Sequence, residues 1–351
     1  MNNSFNQNGQ FGGWTPPPYG SGNQTYSEQY LRFAEKEEQK QKIKKIGSKC
    51  GLAIILYIVI SYAISFMILF ISWVFPSISK VYSETVTSLA FDIIITFLSI
   101  GIPFFIVHYS LKKEKVSDIL PFGTTHNKNL AKYLVMMFLP IMVFSAIGIN
   151  YVSAFFQSML GIEFTSSVDD MSLSGIKGTL LGVLAIAVVP AIVEETAIRG
   201  IVMQPLRKYG DKFAIIASSV LFACMHGNMV QIPYTVIGGL LLGYLVIATG
   251  SLWPAIILHF INNLYSVIVV SASDNLSENV SVIITFLMLA VFAVVGVIGV
   301  VKFVKMKYKV KLSDGEISMT IKEKVSAFLV NGPMIAAMVL LVFITLSNIK
   351  F

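Results

Sequence analysis

The chain has 351 residues, 55% hydrophobic and only 13% charged, with a net charge of +7 and a mean hydropathy of +0.74. A soluble domain carries roughly 25% charged residues, so a soluble globular fold is excluded at the outset. The positive charge does not point to nucleic acid, because the cations flank hydrophobic runs instead of interleaving with aromatic residues on a polar face.

The first 25 residues are rich in Asn, Gln, Gly, Pro and Ser. They hold too few clustered apolar residues to form a core and predict a disordered tail. Pro16, Pro17, Pro18 and Tyr19 form a PPxY-like stretch of the kind a WW domain binds, the expected contact for a cytosolic partner of the tail. From Tyr26 to Lys49 a basic helix is expected to lead into the membrane, its cations near anionic headgroups.

A spanning helix needs about 20 mostly apolar residues. Such runs occur at about 50-75, 87-108, 133-156, 178-200, 213-228, 233-249, 253-273, 280-304 and 326-347. They predict an all-α, polytopic transmembrane helix bundle of eight or nine spans, since barrel strands would alternate and these runs do not. Four expected units follow: the tail and basic helix at 1-48, N-terminal transmembrane helices at 49-125, a catalytic helical core at 126-273, and C-terminal helices at 274-351. The lysines around the first span, Lys112 and Lys113 after the second, Arg207 and Lys208 after the fourth, and Lys302 to Lys311 after the eighth contrast with loops carrying Glu163, Asp169 and Asp170, or Asp274 and Glu278. The positive-inside rule therefore puts the N-terminus in the cytosol. The tail and basic loops fit a multi-pass protein of a bacterial plasma membrane. Cys50 and Cys224 imply no disulfide framework.

Ionisable groups in hydrocarbon cost several kcal/mol, so those inside spans are where function is sought. Asp92 and His108 sit near span ends and read as interfacial. There remain Glu194, Glu195 and Arg199 in the fourth span, His226 in the fifth, and His259 with Asn263 in the seventh. Glu195 and Arg199 stand four apart and can neutralise each other. Glu194 has Ala197 and Ile198 at its own i+3 and i+4 and is left free for another helix. His259 and Asn263 share a face, as do Phe222 and His226.

A carboxylate, two imidazoles and an amide suit activation of water for attack on a carbonyl. Glu194, His226 and His259 are also a set that can hold Zn2+ with a fourth position for water. Spacing alone leaves both open. It also leaves open a proton-coupled transporter, because such residues form relays, and a non-catalytic scaffold or immunity protein, because polar residues also bind helices together. The chain has no HExxH, GxSxG or GxxxxGK motif.

In chain order the residues read EExxxR (Glu194, Glu195, Arg199), FxxxH (Phe222, His226) and HxxxN (His259, Asn263) on separate hydrophobic helices. This resembles the CPBP family, also called the CAAX protease and bacteriocin-processing or Abi family, which includes the type II CAAX prenyl endopeptidases. The resemblance covers about residues 130-270. It implies an intramembrane endopeptidase, often labelled a metalloprotease, acting on a peptide or membrane-protein substrate in peptide maturation or bacteriocin self-immunity. It further implies Glu194 as general base assisted by His226, His259 and Asn263 as oxyanion stabilisers, and Glu195, Arg199 and Phe222 as supports.

Overall fold

The computed structural model describes residues 24–77, 85–116, 120–164, 172–315 and 319–350. Most of the tail, including the proline stretch at 16–19, lies outside the described residues, as do Asp169 and Asp170. Helices α1 (Gln24–Val74), α2 (Thr85–Lys113), α3 (Lys128–Leu160), α4 (Gly175–Arg207), α5 (Asp211–Met225), α6 (Gln231–Thr249), α7 (Trp253–Asn275), α8 (Glu278–Met306), α9 (Ile321–Leu329) and α10 (Gly332–Ser347) follow in order. The strands among the described residues are one two-residue pair, β1 (Glu163–Phe164) antiparallel to β2 (Ile349–Lys350). The expected all-α bundle is what the chain forms, as a multi-pass integral membrane protein.

Among the described residues, seven helices are long and apolar enough to cross a membrane, or eight if the bent pair α9 and α10 counts as one span. The count stops short of nine because the run at 213–228 folds as α5, 15 residues long, against the roughly 20 that spanning requires. The run at 326–347 is broken instead of continuous: α9 and α10 meet at 83°. The basic leader and the first span are one unbroken helix, α1, of 51 residues. Its lysines make ion pairs along and across helices, Lys42 with Glu38, and Lys45 and Lys49 with Glu114 beyond α2.

Two helices change their winding. Residues Phe97–Gly101 in α2, and Val183–Val188 and Thr196–Val202 in α4, are π-helical. Each stretch runs up to a proline, Pro103, Pro190 and Pro205 respectively. Proline has no N–H for the carbonyl four residues back and its ring crowds that carbonyl, so widening the turn lets the chain pass without a clash. In the membrane interior the freed carbonyl needs a partner from a neighbouring helix. For Pro190 the carbonyl four residues back is that of Ile186, and Asn263 on α7 donates to it through Nδ2 at 2.9 Å.

The main core gathers Ile54 and Ile58 from α1, Leu134 and Phe138 from α3, Ile198 and Val202 from α4, Leu221 and Phe222 from α5, and Leu242 and Leu245 from α6. α5 and α6 approach closely through Gly239, facing Ser219, as small residues at membrane helix interfaces allow.

Candidate functional site

The charges of α4 meet α7 and α5 at one place. Arg199 and Glu195 are both fully buried, and Arg199 Nη1 donates to Glu195 Oε1 at 2.9 Å. Arg199 Nη2 lies 3.5 Å from the Gly239 carbonyl on α6, and its guanidinium carbon sits 4.5 Å from the centre of the Phe222 ring. A buried charge needs such neutralisation, and the ring face adds a cation–π attraction. The expected i,i+4 pair is therefore present.

The same Glu195 oxygen is 2.8 Å from His259 Nδ1. A carboxylate only accepts, so the ring donates from Nδ1 and turns its Nε2 towards Glu194. That Nε2 lies 3.8 Å from Glu194 Oε2, too long for a hydrogen bond but close enough to orient the two groups electrostatically. Glu194 itself keeps 17% of its side chain exposed, whereas Glu195 keeps none. The adjacent carboxylates thus have different surroundings: one locked between a guanidinium and an imidazole, the other facing open space.

That space is a cavity of about 210 Å³ lined by Tyr57, Ile100, Glu194, Ile198, Phe222, Met225, His226 and Gln231. His226 follows the last residue of α5, where its Nδ1 lies 2.9 Å from the Phe222 carbonyl. A carbonyl too can only accept, so His226 carries its proton on Nδ1 and turns a bare Nε2 outwards. The Phe222 ring stands edge-on to both imidazoles, its centre 4.8 Å from that of His226 and 6.3 Å from that of His259.

The six polar residues singled out in the sequence divide into two groups. Glu194 and His226 line the cavity, with Phe222 beside them. Glu195, Arg199, His259 and Asn263 sit behind it, among them the two residues that the resemblance assigns to the oxyanion. Asn263 spends an amide proton on Ile186 and accepts from Asn262 Nδ2 at 3.2 Å. Sequence reasoning missed Tyr57 and Gln231. Tyr57 lies on α1 and Gln231 opens α6, and an isolated Tyr or Gln in a hydrophobic run carries no spacing signal.

Among the described residues no three His, Cys, Asp or Glu side chains are gathered so as to hold a metal. Glu194, His226 and His259 do not fit a ligand triad in this arrangement.

Residues 176–265 match the family model described as type II CAAX prenyl endopeptidase Rce1-like. The matched segment contains all of Glu194, Glu195, Arg199, Phe222, His226, His259 and Asn263, and is consistent with the CPBP/CAAX protease family. It supports intramembrane protease activity in general. Searches of curated proteins and of solved structures return no match.

Proposed function

We propose, for a membrane chain that carries a type II CAAX prenyl endopeptidase Rce1-like segment, that the protein is an intramembrane endopeptidase using water activated by Glu194. The observation that carries this reading is the unequal treatment of two neighbouring carboxylates. Glu195 is consumed by Arg199 and His259, while Glu194 opens onto the cavity with His226.

In the reaction, Glu194 takes a proton from water as the water oxygen adds to the carbonyl carbon of the scissile peptide. Nε2 of His226 accepts a hydrogen bond from the O–H that the water keeps, and so fixes its direction. The tetrahedral intermediate then expels the amine, to which Glu194 returns its proton. Glu195, Arg199 and His259 form the support behind the base: Arg199 and His259 both donate to Glu195, which fixes the His259 ring beside Glu194.

The substrate is a membrane-associated protein or small peptide, in keeping with the prenyl endopeptidase description of the family, and peptide maturation or bacteriocin self-immunity is the role it fits. The setting is a bacterial plasma membrane with the N-terminus cytosolic. Membrane and secreted peptides are compared between wild-type and Glu194→Gln cells. Peptides whose cleavage is lost in the variant, at equal protein level, are expected; identical profiles sink the assignment. Cleavage of those peptides by purified protein is expected to survive dialysis against a chelator, and loss restored by added Zn2+ would replace the metal-free route with a zinc-bound water.

A further inference from the structure

The lysines that lead into the apolar part of α1 are largely neutralised within the protein. Lys36 pairs with Glu323, Lys40 with Glu37, Lys42 with Glu38, and Lys45 and Lys49 with Glu114. The lysines of α3 and α8 are treated differently. Lys128 and Lys132, in the first two turns of α3, and Lys302 and Lys305, in the last two turns of α8, are exposed. Among the described residues none of these four makes an ion pair.

Packing brings the two pairs to one level. A Cβ at Gly296 would meet the Pro140 ring, and one at Gly299 would lie 2.8 Å from Met136 Cβ and from the Met137 backbone nitrogen. These contacts set an antiparallel register between α8 and α3, with small residues holding the backbones close. Lys302 stands three residues after Gly299 and Lys132 four before Met136, rises of about 4.5 and 6 Å along the two axes. The two lysines therefore leave the helix pair at the same height, with Lys305 and Lys128 a turn further out. Cations so placed repel each other. Along α8 the exposed apolar side chains of Val294, Ile298 and Val301 form a stripe that runs to Lys305.

An anion between the lysines and an apolar chain on the stripe are the two ends of one phospholipid. We propose that the paired ends of α3 and α8 bind the headgroup of an anionic phospholipid, with its phosphate between Lys132 and Lys302 and an acyl chain along Val294, Ile298 and Val301. Juxtamembrane lysines attract such headgroups, and here two helices present them together. A free phosphate would use the lysines and leave the stripe idle. Both helices lie outside the matched segment 176–265, and the site does not depend on the protease reading.

Full-length protein in detergent is titrated with cardiolipin and, separately, with phosphatidylcholine. Bound lipid is measured by native mass spectrometry and the thermal midpoint is followed. Cardiolipin is expected to be retained and to raise the midpoint, and phosphatidylcholine to do neither. One lysine near an anionic headgroup is worth about fivefold in affinity, so the double variant Lys132→Gln, Lys302→Gln is expected to bind cardiolipin about 25-fold more weakly. With the repulsion gone, it is expected to melt no lower than wild type when lipid is absent. Lys132→Arg, Lys302→Arg keeps both charges and is expected to bind at least as well as wild type. Lys309→Gln, Lys311→Gln removes the same charge beyond the end of α8 and is expected to change affinity by less than about threefold. Equal losses in the two glutamine variants overturn the site and show a diffuse positive field. A lowered lipid-free midpoint in Lys132→Gln, Lys302→Gln, weak binding by the arginine variant, or equal retention of phosphatidylcholine also overturns it. Inorganic phosphate binding as tightly as cardiolipin overturns the lipid assignment.

Discussion

The ion pair behind the base offers a test whose stability arm does not depend on knowing the substrate. Arg199 and Glu195 are each fully buried and each other's main partner. Removing one charge leaves the other uncompensated, which typically costs about 3–5 kcal/mol, so Arg199→Met and Glu195→Leu are each expected to destabilise by that amount. Simple addition would give about 6–10 kcal/mol for the double variant. Replacing both ends together removes the uncompensated charge. What then remains is chiefly the His259 Nδ1 proton, which loses its acceptor at 2.8 Å, a buried unsatisfied group worth about 1–3 kcal/mol. The Glu195→Leu, Arg199→Met double variant should therefore be more stable than either single variant, measured by reversible denaturation in detergent. It should also be inactive, because His259 loses the acceptor that holds its ring beside Glu194. Additive losses refute the argument, because they mean that the pair is not coupled. Full activity in the double variant refutes the claim that the pair serves the base.

Other expectations follow from the same geometry. A methyl at Gly239 would lie 2.8 Å from Ser219 Cβ and 3.1 Å from its backbone Cα, so Gly239→Ala should cost about 1–3 kcal/mol. Gly243→Ala meets only side-chain atoms of Ile215 and Met203, no closer than 3.3 Å, and should melt closer to wild type than Gly239→Ala; equal losses contradict this packing. Asn263→Leu should orphan the Ile186 carbonyl and cost about 1–3 kcal/mol, and Pro190→Ala, which restores an N–H four residues on, should recover part of it. A double variant no more stable than Asn263→Leu rejects that account. Burial pushes the Glu114 carboxyl up, but Lys49 and Lys45, at 2.8 and 3.1 Å, outweigh it and hold the group below the usual carboxylate range. A lowered folded value means that the tie stabilises above the ordinary carboxylate range and is lost as pH falls through the lowered value. Glu114→Gln should flatten that acid limb of the melting curve, and an unchanged limb argues against the tie.

Much of this was legible in the sequence because lipid makes its constraints simple. Apolar runs gave the helices, and the cost of charge in hydrocarbon directed attention to the residues that gather around the cavity. The pairing of Glu195 with Arg199 followed from a spacing of four, and survives although the turn there is π-helical. The run at 213–228 is apolar enough to read as a span, and hydropathy has no means to show that the helix ends at Met225. The π stretches carried a readable sign, the prolines at 103, 190 and 205, but its consequence depends on whether a neighbour can satisfy the freed carbonyl. Asn263 shows the difficulty: an amide one helical turn from an imidazole looks like part of a reactive pair, and only the approach of α7 to α4 turns it towards Ile186.

Ending α5 early leaves exposed backbone beside the site, and backbone at membrane depth must be satisfied by protein or face a polar cavity. Gly227, with φ of +59°, turns the chain there. Its carbonyl accepts from Asn348 Nδ2 at 2.9 Å, and Ile344 would lie 3.0 Å from any Cβ at that position. The end of α10 thus covers the break on one side, while α1 closes the cavity with Tyr57 on another. Both helices lie outside the matched segment 176–265. The matched residues supply the carboxylates and imidazoles, but the pocket that makes Glu194 reactive is completed by the flanking helices. A truncation to the matched segment alone should therefore lose the cavity along with the spans, even though it keeps all seven motif side chains.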